Sequence, residues 1–215
     1  MNFTSEIGKL VYTEYLDIEA KAYQDKIRYF ERNRNEIKQL PFKINAEIRC
    51  DCAIAYFEVG DYTKFLNLVD PLIQLVISEN IYTIKGKDIY KELLFRKAAS
   101  LYNNVEYKKA DYVFSELIKM EPENPIFNKA FTKSSIDNLR HEGQVMRGIS
   151  IFLFLLTGAI IAFELLVIRT FHKDYTSFVE LARNLIFALA IGTFIFQELK
   201  IRLLTMRNIN RLKNK

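Results

Sequence analysis

The chain has no tryptophan, two histidines, two cysteines and four prolines, and only seven glycines in 215 residues. Each scarcity excludes something. Few glycines and prolines argue against a turn-rich β architecture and for helices throughout. Cys50 and Cys52, with Asp51 between them, make neither a disulfide framework nor a zinc-ligand pattern, and reduced thiols suit the cytosol. His141 and His172 have no nucleophile or second ligand nearby in sequence. There is no glycine-rich phosphate loop and no His-Glu zinc motif. With no catalytic constellation, metal set or cofactor motif, the chain reads as a non-enzyme without cofactors. The opening MNFTSEIGKLVYTEYLDIEAKAY lacks the apolar core of a secretory signal.

Charge is unevenly spread. Residues 148–215 hold nine Lys/Arg against four Asp/Glu, which leaves 22 of each for residues 1–147. The whole +5 excess therefore lies in the last third. A neutral N-terminal part gives no reason to expect nucleic-acid binding, whereas basic residues beside apolar runs suit a membrane flank.

Residues 148–168 and 178–199 are those runs. At about 1.5 Å per residue each is long enough for a hydrocarbon layer of about 30 Å, and the short polar turn of Arg169, His172, Lys173 and Asp174 makes the pair antiparallel. Facing residues in such a hairpin share an index sum. One register joins Glu164 to Arg183 and Arg169 to Glu180, and it brings Gly158 and Ala159 toward Ala190 and Ala188 for close packing. Glu164 is thus read first as a structural ion pair that sets the register. An intramembrane carboxylate also raises an ion-pathway role. Arg140 and Arg147 before the first run, with Lys200, Arg202, Arg207, Arg211, Lys213 and Lys215 after the second, place both termini in the cytoplasm. In the basic tail, residues 200–215, Ile201, Leu203, Leu204, Ile209 and Leu212 have an amphipathic spacing suited to a helix on the surface of a membrane with anionic lipid.

Helical spacing covers residues 5–39, with a break expected near Leu16–Glu19 and an end at Pro41. Two helix–turn–helix units follow, the first stopping at Gly60 with Asp61 as the next cap, and Pro71 expected to kink or restart its second helix. The second unit, VEYKKADYVFSELIKMEPENP with its preceding helix, places Tyr107, Ala110, Phe114, Leu117 and Pro122 at signature spacing, after Leu94, Ala98 and Leu101. The first keeps Ala53, Tyr56, Gly60–Tyr62 and Leu72. Over residues 46–124 this resembles the tetratricopeptide (TPR) family. It departs from that family in having Phe65 at a small-residue position, no closing proline in the first unit, and an offset of 45 residues where about 34 is usual. Ser78–Lys87 then hold the extra residues, as a loop or helix extension. Residues 5–40 supply a first helix pair and Pro125–Arg147 a capping helix, since a lone helical hairpin cannot bury its apolar face.

The expected fold class is all-α: TPR-like helical-hairpin repeats in residues 1–147, followed by an antiparallel transmembrane pair. The resemblance implies a groove lined by first helices, here Asp51, Ile54, Phe57, Phe95, Arg96 and Tyr102. Cys50, Ile54, Phe95 and Ala99 occupy places where the family's carboxylate clamps need polar or basic groups. The implied ligand is therefore a peptide or helix with apolar anchors and basic charge. These expectations combine into a two-pass membrane scaffold or adaptor that recruits a protein partner, with Gly192 and other spare small residues open to homo-oligomer formation. The alternative is an oligomerising, pore-type membrane effector, similar in architecture to those of bacterial antiphage systems.

Overall fold

The computed structural model describes residues 6–81, 83–84, 86–171 and 175–213. His172, Lys173 and Asp174 of the expected turn, and Lys215 of the tail, lie outside them. Almost everything described is helical. The chain divides into two compact units, Met1–Ser134 and Ser135–Lys215.

In the first unit the N-terminal helical stretch is broken twice. α1 (Glu6–Leu16) ends before an irregular stretch at residues 17–22, and α2 (Tyr23–Arg32) and α3 (Arg34–Lys38) are separated at Asn33. α4 (Phe42–Glu58) lies centrally, packed against α2, α5 (Tyr62–Ser78) and α6 (Ile89–Asn103). Its composition permits this. Ala46, Ile48, Cys50, Cys52, Ala53 and Ala55 are all fully buried, and their small or slim side chains let neighbours approach from several sides. α6 packs in turn against α7 (Tyr107–Met120). α8 (Pro125–Glu142) begins in this unit and ends in the next.

The same device closes three helices. After α4, Asp61 N–H reaches Tyr56 C=O at 2.9 Å around Gly60, whose φ is +82°. After α5, Ile81 N–H reaches Val76 C=O at 3.0 Å around Asn80, φ +51°. After α6, Glu106 N–H reaches Leu101 C=O at 2.9 Å around Val105, φ +64°. Each is a six-to-one closure through a left-handed residue, a position that glycine fills best. Val105 stands 45 residues after Gly60, at the matching place in its turn, and it is β-branched where left-handed backbone is most strained. The Asp61 and Asp88 side chains each accept from the backbone N–H three residues on, Lys64 and Lys91 respectively, and so cap α5 and α6.

Two expectations need correction. α5 does not restart at Pro71 but continues through it as one helix. The insertion after Ser78 is neither plain loop nor helix extension. It contains a two-residue antiparallel ladder, β1 (Thr83–Ile84) with β2 (Lys87–Asp88), turning at Gly86 with φ +76°.

The second unit contains α9 (Gln144–Phe163), a π-helical turn (Glu164–Ile168), the short α10 (Arg169–Phe171) and α11 (Thr176–Lys213). Gln144–Ile168 and Thr176–Lys213 are long and apolar enough to cross a membrane. α11 is one helix of 38 residues, so the basic tail continues the second apolar run along the same helix instead of folding away as a separate surface helix.

Val105→Gly removes a left-handed β-branched residue without deleting a buried contact, since Val105 is largely exposed. It should stabilise the protein by about 1 kcal/mol, read as a rise in melting temperature of the full chain in detergent.

Candidate functional site

Two constellations were anticipated, one in each unit. In the first, α4 and α6 supply the six groove residues, and all six already make contacts within the chain. Asp51 accepts a 2.9 Å hydrogen bond from Tyr15 Oη and lies 3.7 Å from Lys26 Nζ, which ties it to α1 and α2. Ile54 is partly buried against the core. Phe57 meets Phe65 and Tyr62 edge-on, with centroids 5.7 Å apart in both cases. The Arg96 guanidinium lies 4.8 Å above the Phe57 ring and is held by Glu58 at 2.5 Å and Glu92 at 2.7 Å. Phe95 stacks near Phe114 and Phe127 at 5.9 and 5.8 Å. Tyr102 packs on Tyr107 at 5.4 Å, with Lys133 Nζ 5.0 Å from its ring.

The structure therefore joins Phe57 and Arg96 across α4 and α6, keeps Phe95 and Tyr102 in separate aromatic groups, and turns Asp51 toward α1 and α2. Two clefts of about 370 and 510 Å³ are lined by other residues. Between the two thiols and the N-terminal helices, burial dominates acid–base behaviour. It pushes Cys50 and Cys52 up to about 12, helped for Cys50 by Asp51 and for Cys52 by Glu31. Tyr15, Tyr29 and Tyr56 are also raised, first by burial and then by the carboxylates of Asp51, Glu14 and Glu31 to which they donate.

In the second unit, Glu164 is fully buried. Arg183 Nη1 lies 2.7 Å from Glu164 Oε2, and Arg169 Nη2 lies 2.9 Å from Oε1. Arg169 Nη2 also reaches Glu180 Oε1 at 3.0 Å. Two acids and two bases thus form one neutral network, with Arg169 bridging both carboxylates. The π turn begins at Glu164, and Arg169 N–H donates to the Glu164 carbonyl.

The small residues behave differently. Of the four expected at the helix contact, only Ala190 is buried. Gly158, Ala159 and Ala188 are exposed, and a Cβ placed on Gly158 would meet nothing within 4 Å. Polar side chains occupy the contact instead. Ser150 Oγ and Thr193 Oγ1 are 3.0 Å apart, Gln197 Nε2 donates to Gly143 C=O at 2.9 Å, and Arg140 pairs with Glu198 at 3.1 Å. Phe154 and Phe187 meet edge-on at 5.9 Å. A signal for this seam was present in the sequence. Ser150, Thr157 and Glu164 recur every seven residues, as do Arg183, Ala190 and Gln197, which is the repeat of a helix seam. Index sums weighted toward Gly and Ala hid it.

Comparison of the chain with protein-family models, with curated proteins and with solved structures finds no match.

The network should behave as a unit. Glu164→Gln and Arg183→Gln should each lower the melting temperature in detergent, and the double variant should lose less than the two singles together, with a coupling of about 1–3 kcal/mol. Additive losses would mean the pair contributes nothing jointly.

The raised thiols and phenols set an alkaline limit. These acids ionise in the unfolded chain near their ordinary values, about 9 for the thiols, but resist ionisation when folded. Their contribution is complete below pH 9 and is lost as the pH rises from about 9 toward 12. A melting-temperature series should therefore fall steeply above pH 9, and thiol reagents at pH 8 should leave Cys50 and Cys52 unmodified until the protein unfolds.

Proposed function

We propose that the chain is a two-pass membrane protein that displays a TPR-like helical domain in the cytoplasm and uses it to recruit a protein partner. One observation carries the membrane half. The apolar windows of the two long helices are only 17% and 6% buried, whereas core helices of a soluble protein are mostly covered. Phe152, Leu155, Leu166, Phe178, Leu181 and Phe196 are all more than three-fifths exposed. Apolar surface of that extent is costly in water and matched by lipid.

The contacts between α9 and α11 pair ever later residues of one with ever earlier residues of the other, from Gly143 with Gln197 to Glu164 with Arg183. That order supports an antiparallel hairpin with both termini on one side. The basic residues around Arg147 and after Gln197 favour the cytoplasmic side. If residues 178–199 lie in lipid, the rest of α11 extends about 20 Å beyond it.

The repeat reading is supported by consecutive helix packing from α4 to α7 and by the matched turns at Gly60 and Val105. For the partner, Glu58 and Glu92 beside Phe57 form an acidic and aromatic surface on which Arg96 now rests. A basic side chain of a ligand would compete with Arg96 for those carboxylates while an apolar neighbour packs on the rings.

The test uses the full chain in native membranes. Carbonate washing should leave it in the membrane fraction, and crosslinking should capture a discrete partner that Glu58→Gln with Glu92→Gln, which removes the two carboxylates a basic ligand would meet, releases while the helical fold holds. Extraction into the wash would overturn the membrane half, and capture unaffected by the double variant would overturn the groove.

A pore-type effector is the second reading, favoured by the π turn at a buried carboxylate, since such turns gather at functional sites. Collapse of membrane potential on induction, abolished by Glu164→Gln at equal expression, would select it over the adaptor.

A further inference from the structure

The charge network does not end at Arg183. Its Nη1 is committed to Glu164, while Nε and Nη2 both donate to Asn184 Oδ1, at 3.3 and 3.1 Å. Asn184 is exposed on α11, and its amide nitrogen donates to nothing among the described residues. Six residues inside the run that begins at Phe178, this donor faces hydrocarbon on the membrane reading, where no water can meet an unpaired polar group. Bonding to a cation also makes that amide a stronger donor.

An acceptor of the right kind lies one turn away. Glu180 gives one oxygen to Arg169 and leaves Oε2 without a partner among the described residues, on a side chain 40% exposed. Ala188 and Gly192 continue the same line of the helix at steps of four, and a Cβ on Gly192 would meet nothing within 4 Å, so the backbone here is open to close approach.

We propose that this face of α11 binds a second copy of the chain, Asn184 Nδ2 of each copy donating to Glu180 Oε2 of the other. The unmet donor carries the proposal, and the small residues only permit the approach. The pairing is self-complementary, as a two-fold interface requires, and the axial offset of about 6 Å between the two positions is spanned by the longer glutamate side chain. It rests on the membrane reading above.

The experiment is energy transfer between differently labelled full-length chains in phosphatidylcholine vesicles, followed as lipid is diluted in. Wild type should show self-association that Asn184→Leu weakens roughly tenfold. Gly192→Ile, which leaves the Asn184–Arg183–Glu164 contacts alone, should weaken it as well. In isolated cell membranes treated with copper phenanthroline as oxidant, Gly192→Cys should form a disulfide-linked dimer of this chain. Association unchanged by either variant, a vesicle-bound chain monomeric at every dilution, or a Gly192→Cys adduct formed only with a different protein overturns the proposal and leaves the membrane reading standing. A chain that does not stay with vesicles overturns that reading itself.

Discussion

A carboxylate inside an apolar helix has to be neutralised, and the second unit is arranged around that need. Glu164 is fully buried in a helix whose neighbours on most sides are Ile, Leu and Phe. An isolated ionised carboxylate there would cost far more than the marginal stability of a domain. Two guanidiniums meet it, and the second of these is itself balanced by Glu180. The sum is zero, so no charge is stranded. Two further polar side chains of the seam have local partners: Ser150 and Thr157 each donate back to the carbonyl four residues earlier.

The first unit solves a different problem, how to surround a central helix. α4 carries alanines and cysteines where a surface helix would carry long polar side chains, and it can therefore touch α2, α5 and α6. Aromatic side chains then fill the wider gaps away from it. Arg96 lies where α4 and α6 come together, covering Phe57 and satisfying Glu58 and Glu92. A cation so held is a packing element as much as a charge, and a ligand entering there must replace both functions.

The helical class and the two apolar helices were legible because periodicity and run length depend on the local chain alone. Gly60 and Asp61 were legible for the same reason: one suits a left-handed closure and the other an N-cap. Val105 closes its helix in the identical geometry but carries no such mark, and only alignment on the Gly60 turn exposes it. The β1–β2 ladder was invisible because two-residue strands have no period. The six residues expected to line a groove lie on α4 and α6, yet which of them face one another depends on helix rotation, and Asp51 shows how that can turn a residue toward α1 and α2. At the seam between α9 and α11, opposite charges marked their partners clearly. Small residues did not, because Gly and Ala suit a lipid-facing surface as readily as a close contact.

The π turn explains how Arg169 joins Glu164 at all. In a regular α-helix a residue five places on points about 140° away, which would send Arg169 outward and leave Glu164 with Arg183 alone. The turn at Glu164–Ile168 replaces four-residue hydrogen bonds with five-residue ones, and the Arg169 N–H closes onto the Glu164 carbonyl. The side chain is carried with its backbone, so Arg169 Nε comes within 3.1 Å of Glu164 Oε1. From there its outer nitrogen can still reach Glu180 on α11. A local widening of the helix is unfavourable in isolation. Here it converts a single ion pair into a four-residue network, and that network holds the π turn in place as much as the turn positions the network.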